Sequence, residues 1–188
     1  MPDGSRLAPP TSNALLTLPN VISFCRLCLV PFTVWLVLQH RLAEAFALFV
    51  LAGLSDAVDG WLARRGAGSA VGAVLDPLAD KALMMTMYVT LAVIGALPDW
   101  LAILVVFRDI LIIGGVLLLT LTGQSVTIRP LLISKINTAL QIVLVAAVLF
   151  LSGFDLHLPW LATTLIWAVA ISTLASGAAY VWQGARGG

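Results

Sequence analysis

Six apolar stretches follow one another along this chain, and each is close to the length that crosses a lipid bilayer. They cover residues 21–38, 42–63, 72–96, 100–122, 132–152 and 159–183. A membrane-spanning helix needs about 20 mostly apolar residues. Hydrophobic residues make up 61% of the chain and the mean hydropathy is +1.06, far above soluble domains. The pattern predicts an all-α integral membrane protein, built as a bundle of six transmembrane helices.

The first 20 residues predict the location of the protein. They show neither the small-residue cleavage site of a signal peptide nor an arginine-rich mitochondrial presequence. We therefore expect a juxtamembrane segment over residues 1–20 and a single transmembrane domain over residues 21–188. A bacterial inner (cytoplasmic) membrane is the expected location. Membrane lipids are the expected surroundings, and no nucleic-acid partner is expected.

Basic residues in the short connections predict the orientation of the bundle. If the N-terminus is cytoplasmic, that side receives most of them, namely Arg6, Arg64, Arg65, Arg129, Lys135 and Arg186. The other side receives Arg41 alone. Both termini are therefore predicted on the cytoplasmic side.

Residues 55–84, SDAVDGWLARRGAGSAVGAVLDPLADKALM, carry four aspartates in a chain with only 10% charged residues. On a helix, positions i, i+3, i+4 and i+7 share one face. Two polar stripes follow: Asp56, Asp59, Gly60 and Ala63 end segment two, while Gly72, Ala73, Asp76 and Asp80 begin segment three. The short glycine-rich connection makes the two segments antiparallel neighbours. All four carboxylates are therefore predicted at one depth, near the cytoplasmic surface.

Four ionised carboxylates in one cavity repel each other, so a cation must hold them. Oxygen ligands favour Mg²⁺ or Mn²⁺, and four negative charges balance two such ions. Zinc is not expected, because no cysteine or histidine lies nearby. Small residues on the same stripes leave space for a ligand, and Arg64, with Lys81, suits anionic oxygens. The arrangement predicts a two-metal site for a diphosphate substrate.

An ion channel or transporter is the alternative from a different class, because intramembrane acidic residues often mark ion paths. That hypothesis explains the aspartates. It does not explain Arg64, the glycines or the position at the membrane edge. A prenyl-diphosphate transferase is a third hypothesis, because such enzymes also hold a diphosphate on aspartate-bound metal. They lack the D-G-x-x-A-R pattern that this chain has over residues 59–64.

The motif over residues 56–80, D-A-V-D-G-W-L-A-R … G-A-V-L-D-P-L-A-D, resembles the signature of the CDP-alcohol phosphotransferases. That signature is D-x-x-D-G-x-x-A-R-x(8)-G-x-x-x-D-x-x-x-D, and every fixed residue type agrees. One departure is that only seven residues, 65–71, separate Arg64 from Gly72, where the family usually has eight. The resemblance implies the family's six-helix fold and a divalent-metal-dependent phosphatidyltransferase.

Within this family, the finer resemblance is to the mitochondrial-type cardiolipin synthases, which also occur in bacteria. It rests on LDPLADK, on RDILII over residues 108–113, and on ISKINTALQIVLVAAVL over residues 133–149. It implies transfer of a phosphatidyl group from CDP-diacylglycerol to phosphatidylglycerol, with release of CMP. Phosphatidylglycerophosphate synthases, which use glycerol 3-phosphate, share LDPLADK and usually have Arg-Glu where this chain has Arg108 and Asp109. They remain the alternative.

The resemblance also implies a role for each residue of the site. The metal ligands would be Asp56, Asp59, Asp76 and Asp80, and Asp80 would also be the general base. Gly60, Ala63 and Arg64 would bind the CDP moiety. Candidates for the acceptor phosphate are Arg108, Lys135, Arg26 and Arg129. Arg108 has an alternative, which is to pair with Asp109 or with an aspartate of the cluster.

Two smaller features concern packing. The adjacent glycines Gly114 and Gly115 would let helices approach closely, which is compatible with a homodimer. Cys25 and Cys28 form a C-x-x-C spacing without the context of a redox motif. We interpret them as small buried hydrophobic residues.

Overall fold

The structure is a computed structural model that describes residues 18–62, 72–121 and 132–186. Within these ranges the chain forms six α-helices. They are α1 (Leu18–Leu38), α2 (Leu42–Leu62), α3 (Gly72–Val93), α4 (Asp99–Leu121), α5 (Leu132–Gly153) and α6 (Pro159–Arg186). The all-α prediction is confirmed, and the bounds of the helices agree with the predicted stretches to within three residues.

Two helical stretches of the described residues are long and apolar enough to cross a membrane. They are Leu132–Gly153 in α5 and Pro159–Tyr180 in α6. The shorter stretches Phe24–Leu38 and Leu42–Ser55 are also apolar. The helices themselves are thus confirmed, while the number of membrane spans stays a prediction.

Short connections at residues 39–41, 94–98 and 154–158 join three pairs of helices. Gly95 follows α3 with a φ of +74°, a left-handed conformation that glycine adopts without steric cost. Pro159 is the first residue of α6, where its missing N–H has no helical partner to lose. Each joined pair therefore runs antiparallel.

The helices pack in a closed ring in the order α1, α2, α5, α6, α4 and α3, and α3 also contacts α5 across the ring. At one end of the bundle α1, α3 and α5 begin while α2, α4 and α6 end. We call it the aspartate end, because α2 ends and α3 begins there with the four aspartates of the motif. The three short connections lie at the opposite end.

Large apolar side chains cover the outside of the ring as well as its interior. Among the most exposed are Leu132 (76%), Val93 (71%), Ile103 (68%) and Trp160 (66%). Soluble monomers rarely expose such extensive apolar surface. The outer surface of the bundle is therefore suited to lipid.

Gly153 marks a close contact between the end of α5 and the start of α2. A Cβ atom at this position would lie 2.6 Å from the backbone nitrogen of Ala43 and 2.8 Å from its Cα. A Cβ at Gly114 or Gly115 would meet nothing within 4 Å. Close packing at these two glycines, which the sequence predicted, therefore does not occur within the described part of the chain.

The prediction that Cys25 and Cys28 are buried is wrong, because both are exposed on α1. Arg26, between them, is only 1% exposed. The inward face of this helical turn is thus taken by the arginine. Consecutive positions on a helix point about 100° apart, so its neighbours turn outwards.

Candidate active site

The predicted general base, Asp80 on α3, contacts Arg26 on α1. Arg26 Nη1 donates a hydrogen bond to Asp80 Oδ1 over 2.7 Å. The arginine side chain is 1% exposed, whereas the aspartate side chain is 45% exposed. A buried guanidinium thus orients a carboxylate that is accessible from outside the bundle. The contact occupies Arg26, and its predicted role at the acceptor phosphate stays a prediction.

The next residue on α3, Lys81, belongs to a second ion pair. Lys81 Nζ lies 2.6 Å from Asp109 Oδ2, and Arg108 Nη1 lies 2.7 Å from Asp109 Oδ1. Asp109 is 1% exposed and Arg108 is 5% exposed, while the lysine is 33% exposed. One buried carboxylate therefore shares its two oxygens between two cations, and it connects α3 to α4.

Arg108 continues this network to α5 and α6. Its Nη2 atom donates hydrogen bonds to Ser134 Oγ over 2.8 Å and also to Ser176 Oγ. The guanidinium carbon lies 5.9 Å from the ring centre of Tyr180, which suits a cation–π contact. Because Ser176 is small, α6 leaves room for the guanidinium group of Arg108. The structural alternative, in which Arg108 pairs with Asp109, is confirmed.

A further polar layer lies deeper in the bundle, next to α6. Asn137 Oδ1 on α5 accepts hydrogen bonds from Ser172 Oγ and Thr173 Oγ1, each over 2.8 Å. The Tyr88 hydroxyl on α3 donates to the backbone oxygen of Gln141 over 3.3 Å. This layer was not predicted from the sequence, although two amide residues four positions apart in an apolar helix, Asn137 and Gln141, are its signal.

Lys135 is exposed at the start of α5, beside an open groove of about 380 Å³. Among the described residues, Ser134, Thr138, Ala139 and Ile142 also line it, and all of them lie on α5. The polar residues lie nearer the aspartate end and the apolar ones deeper along the helix. Such a gradient suits a lipid headgroup with its acyl chains. Lys135 makes no ion pair or hydrogen bond with the other described residues.

Most of the predicted substrate and metal site lies outside what the structure describes. This applies to the side chains of Asp56, Asp59, Gly60 and Asp76, and to Ala63, Arg64 and Arg129. Within the described residues no group of three or more metal-ligating side chains occurs. The chemistry of the predicted donor set fits Mg²⁺ or Mn²⁺, because it consists of carboxylate oxygens alone.

Comparison with known proteins defines the class of the chain. The model of the CDP-alcohol phosphatidyltransferase family matches residues 16–175. The match includes the motif of α2 and α3, and it also includes Arg26, Arg108 and Lys135. The chain belongs to this family, which favours the transferase hypothesis over the ion transporter.

Relatives that align over about nine tenths of this chain include proteins from several eukaryotes. The chain is 34% identical over 188 residues to human "cardiolipin synthase (CMP-forming)", covering 90% of this chain and 62% of the human protein. It is 34% identical over 187 residues to a fission-yeast "cardiolipin synthase (CMP-forming) / mitochondrial hydrolase fusion protein", covering 91% of this chain and 31% of the yeast protein. A rice chloroplastic "CDP-diacylglycerol--glycerol-3-phosphate 3-phosphatidyltransferase 1" is 34% identical over 184 residues, covering 88% of this chain and 56% of the rice protein. The chain thus spans about three fifths or less of these relatives.

These relatives correct the predicted location. The predicted location was a bacterial inner membrane, and that prediction is wrong. The human and fission-yeast relatives are eukaryotic proteins, and the name of the fission-yeast relative includes a mitochondrial hydrolase. The error arose because the lack of an arginine-rich presequence in residues 1–20 was taken as information about the compartment.

Proposed function

We propose that this protein is a cardiolipin synthase, which transfers a phosphatidyl group from CDP-diacylglycerol to phosphatidylglycerol and releases CMP. The observation that carries the proposal is the oriented carboxylate of Asp80. It closes the family motif, and Arg26 fixes it at the accessible aspartate end. The human and fission-yeast relatives support the choice of product by their names.

The proposed reaction follows from these side chains. Asp56, Asp59, Asp76 and Asp80 would hold two divalent ions, which when bound would polarise the diphosphate of CDP-diacylglycerol. Asp80 takes the proton of the acceptor hydroxyl. The acceptor oxygen forms a bond to the phosphorus that carries diacylglycerol, and the bond from that phosphorus to CMP breaks.

Positioning must supply much of the acceleration, because a carboxylate is a weak base for an alcohol. Arg26 holds the base in place, and Arg64 would stabilise the charge of the leaving CMP. Lys135 is the best placed of the candidate ligands for the acceptor phosphate. It is exposed beside a groove, whereas Nη1 and Nη2 of Arg108 are engaged with Asp109, Ser134 and Ser176.

A second candidate function uses the same chemistry with glycerol 3-phosphate as the acceptor. The rice relative favours it, because its name describes that reaction and its identity of 34% equals that of the human relative. The groove beside Lys135 supports the lipid acceptor instead, since Ala139 and Ile142 provide an apolar approach. Phosphatidylglycerol is therefore our first choice.

We further propose that all six helices span the membrane. The aspartate end then lies on the inner side of the membrane, which is the side that receives most of the basic residues in the connections. Exposed tryptophans near the opposite end support this arrangement, because Trp35, Trp100 and Trp160 lie where aromatic residues meet the membrane interface. A homodimer remains a prediction of the sequence.

A metal-depletion experiment tests the proposed class. CMP release from CDP-diacylglycerol and phosphatidylglycerol should stop in excess EDTA and return with Mg²⁺ or Mn²⁺. Asp80→Asn, purified in parallel, should show no such recovery. Undiminished CMP release in EDTA would remove the two-metal mechanism.

A further inference from the structure

Helix α3 separates two ion pairs that begin at consecutive residues. Asp80 is held by Arg26 on α1, and Lys81 is held by Asp109 on α4. Consecutive side chains on a helix point about 100° apart. The two side chains therefore leave the helix in different directions, and the ion pair with Asp109 holds the flexible end of the lysine at α4.

The two cations on Asp109 do not depend on it equally. Arg108 has other partners, since it also contacts Ser134, Ser176 and the Tyr180 ring. Lys81 has no other ion pair or hydrogen bond within the part of the chain that the structure describes. Loss of the Asp109 carboxylate would therefore leave Arg108 largely in place and would release Lys81.

A released Lys81 has carboxylates to turn to. Its ammonium sits on a flexible four-carbon stem, and one third of the side chain is already exposed. Asp80 is the adjacent residue, it is 45% exposed, and it belongs to a predicted cluster of four negative charges. An ammonium ion attracted to that cluster would compete with divalent cations for the same oxygens.

We propose that Asp109 is a positioning residue that keeps Lys81 away from the metal-binding carboxylates. The inference rests on the proposed metal-dependent function, and it assigns to Asp109 a purpose beyond holding Arg108. Asp109 does not touch the substrate in this proposal. It acts through the lysine.

Binding of Mn²⁺ to the purified full chain without substrate tests the proposal, with free Mn²⁺ measured by electron paramagnetic resonance. Asp109→Asn should bind Mn²⁺ about 10- to 100-fold more weakly, the range typical of residues that support metal ligands from outside the coordination sphere. Lys81→Met should bind Mn²⁺ like the parent protein. The double variant Asp109→Asn with Lys81→Met should regain the parent affinity, because it lacks the competing ammonium.

The outcomes separate this role from a structural one and from the proposed function. Parent-like Mn²⁺ affinity in folded Asp109→Asn would overturn the proposal, as would a weakened affinity that Lys81→Met fails to restore. If the parent protein itself binds no Mn²⁺, the two-metal function fails first. If Asp109→Asn does not fold, the double variant Arg108→Gln with Asp109→Asn takes its place. It removes the arginine that would be buried without an ion pair, and it still leaves Lys81 without its carboxylate partner. This double variant must show the same loss of Mn²⁺ affinity.

Discussion

Arg26 and Asp80 lie 54 positions apart in the sequence, yet the guanidinium of the first lies 2.7 Å from the carboxylate of the second. Through this contact a buried residue of α1 orients the end of the motif on α3. The family signature does not include position 26. The contact therefore makes α1 part of the proposed active site.

Arg26→Met should reduce turnover about 100-fold, because a base that is displaced by about 1 Å loses its productive geometry. Arg26→Lys should recover part of the loss by retaining a charge. The measurement is the initial rate of CMP release with saturating CDP-diacylglycerol. Arg41→Met is the matched control, since Arg41 pairs with Glu44 on the exposed surface at the opposite end. Equal rates for Arg26→Met and Arg41→Met would contradict the orienting role.

Asp80→Asn and Asp59→Asn should fail in different ways. Asp80→Asn should lower turnover about 10²- to 10⁴-fold, as expected for loss of a general base, with a smaller effect on binding of CDP-diacylglycerol. Asp59→Asn should abolish both turnover and binding of CDP-diacylglycerol, because it removes a metal ligand. Titration of a fluorescent CDP-lipid in the presence of Mg²⁺ measures the binding. If both variants lose affinity equally, Asp80 is mainly a ligand and another group is the base.

Lys135→Ala should raise the KM for phosphatidylglycerol about tenfold or more, because a charge-assisted contact to the phosphate contributes about 1.5–3 kcal/mol. The KM for CDP-diacylglycerol and the thermal stability should stay unchanged, since Lys135 is exposed at the start of α5. Rates at varied concentration of each lipid in mixed micelles provide both values. A rise in the KM for CDP-diacylglycerol instead would move Lys135 to the nucleotide side of the site.

Gly153→Ala should destabilise the bundle by about 1–3 kcal/mol, because the added Cβ would overlap the backbone of Ala43. Gly114→Ala is the control, since a Cβ there meets nothing within 4 Å. Alanine also favours a helix over glycine, so the control should be unchanged or slightly more stable. Thermal unfolding in detergent, followed by circular dichroism, compares the two. Equal melting temperatures would show that α5 and α2 can separate at no cost.

Composition was sufficient to predict the helices, because each apolar stretch must satisfy its backbone hydrogen bonds within itself in lipid. The six stretches accordingly match α1 to α6. Which residues form ion pairs was harder to predict from the sequence. Arg108 had two reasonable partners, and only the packing of α4 against α3 and α6 decides for Asp109.

The direction of a side chain around its helix was the hardest feature to predict. Cys25 and Cys28 were expected inside, but the helix turns Arg26 inward there. Lys81 was considered for a substrate oxyanion, yet it points to Asp109. These directions depend on how each helix is rotated within the ring, and a local pattern of residue types does not specify that rotation when most faces are apolar.

The acceptor is the claim that a single competition assay tests most directly. Purified protein receives Mg²⁺, CDP-diacylglycerol with labelled acyl chains, and equal amounts of unlabelled phosphatidylglycerol and glycerol 3-phosphate, and mass spectrometry identifies the lipid products. We predict cardiolipin that carries one labelled and one unlabelled phosphatidyl group, with one CMP released for each molecule formed. Labelled phosphatidylglycerophosphate as the product, with no cardiolipin, would contradict the assignment.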